Sequence, residues 1–405
     1  MRGPVDRPRR ERYCLAAGVR VLHVVPHLAR EMGGPVTAAL GMAEALSSAG
    51  VDVRLAATDH GHPEPARAGF ELRLFRCRFC PWRWAPGLGR WLAREVRWAD
   101  VVHLHTVWTY PTWAAARASW RAGVPYVLRP AGMLEEWSMG RRPWKKAAYV
   151  RLVESATIRR AAALHWTAAQ ERDRSARWTG GRPDMVVPLG VAAAAYDDLP
   201  PAGALARRFP ALQGRRVLLY LGRVHPKKQP EVAIGALSRV RREFPDAALA
   251  IAGPGERAYL DSLAALAEGQ GVAGAVHFLG MLRGREVQEA YAGAAAFVLP
   301  SLQENFGLAA AEAMAAGCPV IVSPQVALAP LVASRGAGRV AEPTVPAVAD
   351  ALRGMLADDA GRRAAGQRGR ALVLQRFTWP AVAGELIRAY ERVLGRAPAA
   401  SVAPS

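Results

Sequence analysis

Short apolar runs alternate with longer amphipathic stretches along most of the chain. In the first half, the apolar runs predict strands near residues 21–25, 51–57, 71–75, 101–105, 125–129, 163–167 and 185–187. The stretches between them predict helices near residues 36–49, 91–98, 113–122, 143–162 and 168–178. Strands that alternate with helices are typical of a parallel sheet with helices on both faces. The first half is therefore predicted to form one doubly wound α/β domain.

The same alternation starts again in the second half, with strands predicted near residues 216–221, 247–252, 276–279, 296–299, 319–323 and 338–341. The proline-containing segment 191–214 separates the halves and is expected to be an interdomain linker. We therefore predict an N-terminal Rossmann-like domain over residues 20–190 and a second one over residues 215–378. A final helix is predicted over residues 380–394. Residues 1–19, which are basic, and residues 395–405 are expected to be disordered tails.

Two carboxylates eight positions apart mark the most informative segment. Glu304 lies in a turn after the apolar strand 296–299, which Pro300 ends because it has no backbone N–H to donate. Glu312 lies in an Ala-rich helix predicted over about 307–316. This helix therefore begins at the carboxyl end of a strand, where doubly wound sheets bind their ligands.

The free backbone N–H groups at the start of this helix, together with the helix dipole, suit a phosphate. They belong to Asn305, Phe306, Gly307 and Leu308. Glu304 is placed to accept hydrogen bonds from sugar hydroxyls, and Glu312 from the two hydroxyls of a ribose. The alternative is that Glu304 caps the helix and Glu312 lies on a solvated face. It is disfavoured because the helix is otherwise apolar, and a buried carboxylate needs a partner.

A basic turn, Gly222-Arg-Val-His-Pro-Lys-Lys228, follows the first strand of the second half. Arg223 and Lys228 are suited to neutralise a diphosphate leaving group at the end of that strand. The alternative is an ordinary solvated basic turn. No Asp-x-Asp pair follows a strand in the sequence. We therefore expect a site that uses no metal and no cofactor.

Residues 300–320 resemble the E-x7-E signature of the retaining GT-B glycosyltransferases of group 1, or family 4. In both, a Pro-Ser pair precedes the first Glu, and a small-residue helix and a Gly-Cys-Pro-Val strand follow the second. The turn with Arg223 and Lys228 is similar to the family's Gly-Arg-x-x-x-x-Lys-Gly, although Gln229 replaces the last Gly. The resemblance extends over residues 20–395 and is most specific in the second half.

This resemblance implies two Rossmann-like domains that face each other across a cleft, with the last helix crossing back to the first domain. The first domain is expected to bind the acceptor and the second to bind the nucleotide sugar. It implies transfer of a sugar from a nucleotide diphosphate to a saccharide or lipid-linked acceptor, with retention, in polysaccharide or glycolipid assembly. The departing phosphate is expected to take the acceptor proton. The family's pattern adds donor-binding residues in both domains: Gly33, Gly34, Gly253, Met281 and Leu282.

Two histidines lie on one face of the strand 101–105, because alternate residues of a strand point the same way. His105, at the carboxyl end, is expected to meet the acceptor, and His103 is expected to pack in the core. Many members of the family have a His where this chain has Ala131, which has no base to offer. His105 and Glu304 are then the residues expected to act near the reacting hydroxyl.

The composition fits a large globular protein with a strong basic excess. Of the 405 residues 51% are hydrophobic, and no apolar run is long enough to span a bilayer, so we expect a cytoplasmic protein. The net charge is +20, and residues 1–190 carry 30 Lys or Arg against 16 Asp or Glu. A nucleic acid, an anionic membrane or an anionic substrate each suits such a surface.

One basic segment combines cations with aromatic rings: Trp137, Arg141, Arg142, Trp144, Lys145, Lys146 and Tyr149. Such a composition suits the surface of an anionic membrane, and the alternative is an ordinary solvated helix start. No nucleic-acid recognition motif accompanies the charge, so no nucleic-acid partner is expected.

The pair Cys77-x-x-Cys80 has the spacing of half a zinc site or of a redox pair, and His60 and His62 are the nearby imidazoles. Structural zinc takes four ligands, and the sequence holds no second cysteine pair. We therefore expect a pair of cysteines that binds no metal.

Two other functions are compatible with the sequence. One is a basic protein that binds nucleic acid or membrane on a degenerate transferase scaffold, and the other is a GT-B sugar-nucleotide epimerase. The first is disfavoured because Glu304, Glu312, Arg223 and Lys228 are all present. The second is disfavoured because an E-x7-E segment after Pro-Ser fits a transferase better.

Overall fold

A computed structural model of the chain describes residues 18–29, 34–61, 69–140 and 143–396. Within these ranges the chain forms two parallel sheets, one of seven strands and one of six. Helices cover both sheets, so the predicted pair of doubly wound domains is confirmed. The two predicted tails lie almost wholly outside the described residues.

The first sheet has the strand order β3-β2-β1-β4-β5-β6-β7. Its strands are β1 (Arg20–His27), β2 (Asp52–Thr58), β3 (Glu71–Phe75), β4 (Val101–His105), β5 (Tyr126–Arg129), β6 (Ala163–Trp166) and β7 (Asp184–Val186). Its helices are α1 (Gly34–Ser48), α2 (Pro86–Glu95), α3 (Tyr110–Ala122), α4 (Glu136–Gly140), α5 (Pro143–Tyr149), α6 (Ser155–Arg159) and α7 (Ala169–Thr179). Every residue of β4, β5 and β6 is buried, as expected for central strands covered on both faces.

The second sheet has the strand order β10-β9-β8-β11-β12-β13. Its strands are β8 (Arg216–Leu221), β9 (Ala247–Ala252), β10 (Val276–Gly280), β11 (Ala294–Leu299), β12 (Val320–Val322) and β13 (Gly338–Val340). The helices from the interdomain connection onward are α8 (Ala204–Arg208), α9 (Pro230–Val240), α10 (Arg257–Gly269), α11 (Arg285–Gly293), α12 (Leu308–Ala315), α13 (Ala329–Arg335), α14 (Val345–Leu356), α15 (Asp359–Arg376) and α16 (Trp379–Val393). Each strand predicted from the apolar runs lies within two residues of an observed one.

The chain passes between the domains twice, and the two passages touch. The Val191 N–H donates to the Phe377 carbonyl at 2.6 Å. The Trp379 ring then packs over Gly41 and Gly190, where an added Cβ atom would lie 2.0 Å and 2.3 Å from it. Helix α16 continues across the first domain, as the family resemblance implied.

The predicted helix 143–162 is wrong in detail, because a π-helical turn, Val150–Glu154, separates α5 from α6. This turn lies where the buried Glu154 carboxylate accepts a hydrogen bond from the Trp108 N–H at 2.7 Å. Helix α2 begins five residues earlier than predicted, with Pro86 at its first position, where a missing N–H costs nothing. Among the described residues, no helix combines the length and the apolar character needed to cross a membrane.

The docking of α16 onto the first sheet can be tested at Tyr390, which is fully buried and lies with its hydroxyl 2.7 Å from His103 Nδ1. We expect Tyr390→Phe to lower the free energy of unfolding in urea by about 1–3 kcal/mol, since it leaves a buried imidazole nitrogen without its partner. Tyr259→Phe is the control, because the Tyr259 hydroxyl bonds a partly exposed carboxylate on Glu231. Equal losses in the two variants would contradict a specific role for Tyr390.

Candidate active site

A cavity of about 430 Å³ lies where the carboxyl ends of the two sheets meet. Its walls include the catalytic candidates Arg223, Lys228 and Glu304. They also include the predicted donor-binding residues Gly34, Gly253, Met281, Leu282, Asn305, Phe306, Gly307, Leu308 and Glu312. Gly33 falls outside the described residues. The fold thus brings segments from both domains, distant in sequence, to one site.

The Lys228–Glu304 ion pair joins two loops of the second domain. Lys228 Nζ lies 2.8 Å from Glu304 Oε1, and both side chains are less than one-fifth exposed. Burial alone would raise the pKa of Glu304, but the charge and hydrogen bond of Lys228, with help from Lys227, lower it overall. Glu304 is therefore an ionised acceptor at neutral pH. Its backbone is anchored too, because the Glu304 N–H donates to the Gln325 carbonyl at 3.2 Å.

Two glycines allow the loops after β8 and β9 to approach each other. Gly222 has φ 143° and Gly253 has φ 136°, and an added Cβ atom on Gly253 would lie 1.9 Å from the Gly222 carbonyl oxygen. Such contact excludes any side chain at Gly253. The close approach places Arg223, which is exposed, on the wall of the same cavity as Lys228.

Helix α12 points its amino end into the cavity. Gly307 precedes it with φ 93°, and the first-turn N–H groups of a helix have no acceptor within it. Glu312 lies one turn further on and is partly exposed to the cavity. The Tyr291 hydroxyl donates to Glu312 Oε2 at 3.2 Å, yet burial still raises the pKa of Glu312 to about 7. The two signature carboxylates therefore differ in charge near neutral pH.

Arg129 is a cavity residue that the sequence did not single out. It ends β5, is 2% exposed, and has a buried Nε atom without a hydrogen-bond partner. Burial lowers the pKa of its guanidinium to about 10, although Glu171 opposes this, so it stays cationic at neutral pH. Its position at the carboxyl end of a central strand was the signal that could have found it.

Glu171 organises the loops on the first-domain side. It is buried in α7 and accepts from the backbone N–H groups of Gly132 at 2.6 Å and Thr167 at 2.8 Å. The loop after β5 and the end of β6 are thereby tied to one carboxylate. Thr167 Oγ1 also lies 2.7 Å from the Asn305 carbonyl oxygen, so the first domain contacts the signature segment of the second directly.

His105 does not line the cavity, so the expected contact with an acceptor is not supported. It is 1% exposed, and its Nε2 lies 2.9 Å from His23 Nδ1. Burial lowers the pKa values of His23, His103 and His105, so this cluster is neutral. The period-2 pattern placed His103 and His105 on one face correctly, but that face is covered by α16. Ala131, by contrast, lines the cavity, and its backbone has a positive φ of 55°.

Each half of the chain matches a known protein family. The family described as Glycosyl transferases group 1 matches residues 205–372, and the one described as Glycosyl transferase 4-like domain matches residues 33–192. A D-inositol 3-phosphate glycosyltransferase of Xylanimonas cellulosilytica is 30% identical over 322 residues, which cover 76% of this chain and 75% of that protein.

Other similar proteins match less of their own length or only in fold. A phosphatidyl-myo-inositol mannosyltransferase of Mycolicibacterium smegmatis is 34% identical over 230 residues, and the match spans 55% of this chain and only 56% of that protein. The crystal structure of Anabaena Alr3699/HepE in complex with UDP and glucose superposes with a TM-score of 0.77, covering 93% of this chain and 100% of that one at 16% identity. This last likeness shows the fold alone.

The effect of Lys228 on the pKa of Glu304 can be tested by titration. We expect Lys228→Met to raise the pKa of Glu304 above the ordinary range of a Glu, because burial then acts without the compensating cation. A ¹³C NMR titration of labelled carboxyl groups, with Glu304→Gln for assignment, measures it. Glu312 is the internal control and should keep its pKa near 7. An unchanged Glu304 titration would show that Lys228 does not hold it ionised.

Proposed function

The chain belongs to the group 1 glycosyltransferase family, and we propose that it moves a sugar from a nucleotide diphosphate to an acceptor hydroxyl with retention of configuration. The observation that carries this proposal is the convergence on one cavity of Glu304, Lys228, Arg223, Glu312 and the amino end of α12. Such a cavity offers an acceptor for a sugar, cations for a diphosphate and a carboxylate for a ribose.

The donor is proposed to lie along the second domain. Its ribose hydroxyls bind Glu312, its phosphates lie against the first N–H groups of α12, and its base meets the backbone near Met281. Arg223 and Lys228 neutralise the charge of the departing diphosphate, and the buried Arg129 adds a cation from the first domain. The transferred sugar is held by the ionised Glu304.

The proposed chemistry needs no side-chain base. The bond from the anomeric carbon to the phosphate oxygen breaks, and the acceptor oxygen bonds to that carbon on the same face. The acceptor proton passes to the departing phosphate oxygen. Ala131 offers no base and His105 is buried and neutral, so this route agrees with the residues present. We propose that no divalent metal takes part, because cationic side chains already surround the phosphate position.

The two alternative functions are less well supported. A degenerate scaffold has no physical reason to keep the buried Lys228–Glu304 pair, since replacing such a pair by apolar residues of similar volume is often neutral or stabilising. For an epimerase, the family matches over both halves offer no support.

The acceptor is proposed to be lipid-linked, in glycolipid or polysaccharide assembly on the cytoplasmic side of a membrane. Two similar proteins are named for an inositol phosphate and a phosphatidyl-inositol acceptor. The segment from α5 to α6 exposes apolar and basic side chains together: Trp144 is 71% and Leu152 81% exposed, beside Lys145 and Arg151. This composition suits reversible contact with an anionic membrane.

Fewer residues are free to contact a membrane than the sequence predicted. The Trp137 ring packs 5.6 Å from the His225 ring and lies 5.2 Å below Lys227 Nζ, so it contacts the second domain. The Tyr149 hydroxyl accepts from Trp82 Nε1–H at 2.8 Å. Arg141 and Arg142 lie outside the described residues.

The two signature carboxylates should fail in different ways. We expect Glu304→Gln to lower kcat by about 10²- to 10³-fold, because it removes a charge that acts in the transition state. Glu312→Ala should weaken donor binding by about 10- to 100-fold, the usual value of hydrogen bonds to a charged group. Steady-state kinetics with varied donor separates the two. Wild-type turnover in Glu304→Gln would remove its assigned role.

The Glu312 pKa near 7 adds a pH signature. Below pH 7 the carboxyl is protonated and accepts poorly, so donor affinity should rise as the pH rises from 6 to 8. A donor with a diphosphate diester is suitable because its own charge is constant over this range. Glu312→Gln should bind weakly at every pH, and a slope that persists in this variant would point to another group.

Charge neutralisation by side chains predicts the response to metals. Lys228→Ala should slow transfer by about 10²- to 10³-fold, a common cost of losing one contact to developing negative charge. Added Mg²⁺ or Mn²⁺ should leave the wild-type rate nearly unchanged. Arg257→Ala is the control, because it removes an exposed cation of the second domain that does not line the cavity. A strict requirement for an added divalent ion, together with a harmless Lys228→Ala, would contradict the proposal.

Vesicle flotation tests the membrane contact. We expect the protein to bind anionic liposomes but not neutral ones, and to be released by salt, because each Lys or Arg near such a surface contributes about 1 kcal/mol. Trp144→Ser with Leu152→Ser should reduce recovery, whereas Leu374→Ser, an exposed apolar residue of the second domain, should not. Equal recovery with both lipids, or tighter retention on DNA than on anionic vesicles, would favour other partners.

A further inference from the structure

The loop between β3 and α2 brings three metal-binding side chains together at the edge of the first sheet. One ring nitrogen of His60, Cys77 Sγ and Cys80 Sγ all lie within 4.8 Å of one another. His60 comes from the end of β2, so this trio is not apparent from the spacing of the cysteines. We propose that His60, Cys77 and Cys80 bind a zinc ion that fixes this loop.

Hydrogen bonds of the backbone hold the loop with the two cysteines next to His60. Asp59, next to His60, accepts from the Cys77 N–H at 2.8 Å, and its own N–H donates to the Phe75 carbonyl at 2.9 Å. One residue therefore holds the cysteine loop against the end of β2.

The loop itself is a tight reversal. A 3₁₀ turn, Cys80–Trp82, is closed by the Arg83 N–H, which donates to the Cys80 carbonyl at 3.2 Å. Phe79 and Trp84 pair across the reversal as an antiparallel bridge. Both sulfur atoms are thereby presented on the same side as His60, and Cys80 is exposed, so an ion can enter.

The ligand set favours zinc over other ions. Two thiolates and one imidazole suit a tetrahedral Zn²⁺, whereas Mg²⁺ and Ca²⁺ prefer oxygen ligands. Three protein ligands leave the fourth position to water. Since thiolates are the ligands, binding of the ion displaces the thiol protons.

A redox role fits these cysteines less well. Reactive Cys-x-x-Cys pairs have a thiol whose pKa is lowered, commonly at a helix amino end. Here the pair leads into a three-residue 3₁₀ turn, Cys80–Trp82, rather than an α-helix.

The ion would act on the structure around the acceptor side of the first domain. Trp82 lies two residues after Cys80, donates to the Tyr149 hydroxyl, and packs against the rings of Tyr110 and Trp113. A metal that fixes the loop thus fixes this aromatic cluster, which adjoins the segment proposed to face a membrane. The proposed zinc site is separate from the cavity proposed to bind the donor, because none of its three ligands lines that cavity.

The test uses the full-length chain, kept reduced and freed of metal by dialysis against a chelator. Zn²⁺ titrated against a chromophoric chelator should bind at one equivalent per chain, and Co²⁺ should give a thiolate-to-cobalt charge-transfer absorption. Cys77→Ser and Cys80→Ser should each abolish that equivalent, and His60→Ala should weaken binding by at least about tenfold. Cys14→Ser is the matched control and should bind as the wild type does.

Thermal unfolding separates metal loss from misfolding. In chelator, the wild type and the ligand variants should unfold at the same temperature. Excess zinc should raise the unfolding temperature of the wild type and of the control only. Failure of the reduced wild type to bind one Zn²⁺, or undiminished binding by the Cys77→Ser/Cys80→Ser double variant, would overturn the proposal. Neither readout involves transferase activity, so the result is independent of the proposed function.

Discussion

The Lys228–Glu304 ion pair is the interaction on which the candidate active site depends. It links the loop after β8 to the loop after β11, and these two strands are neighbours at the centre of the second sheet. A buried charge without its partner is costly, and Lys228 holds Glu304 in its charged form. The pair therefore keeps an anion and a cation ready at one edge of the sheet. Gly222 leaves room for the lysine, because an added Cβ atom there would lie 3.3 Å from Lys228 Nζ.

The second half of the site was predictable because its information is local. Glu304, Glu312 and the start of α12 lie within nine residues, and the strand, turn and helix that present them follow from apolar runs, a proline and a glycine. The strands were predictable for a similar reason, because the central strands of a parallel sheet are buried on both faces and are apolar throughout. Local patterns therefore located the wall of the cavity that the second domain provides.

Features that depend on distant segments were not predictable. His105 was expected to meet the acceptor, but the sequence does not show that His23 lies against it and that Tyr390 of α16 contacts its neighbour His103. The role of Glu171 depends on two backbone N–H groups from separate loops. His60 was recognised as an imidazole near the cysteine pair, but the sequence does not show that folding brings one of its ring nitrogens within 4.8 Å of both sulfur atoms. In each case the missing information is which surfaces the tertiary fold brings together.

We propose that cationic and anionic side chains of the cavity bind a nucleotide diphosphate sugar without a metal. The most direct measurement is isothermal titration calorimetry, in a chelating buffer, with a panel of uridine, guanosine and adenosine diphosphate sugars. We expect at least one of them to bind the wild type, and we expect this binding to be lost in a folded Lys228→Met/Glu312→Ala variant. Absence of binding by every donor, or equal affinity in the double variant, would contradict it.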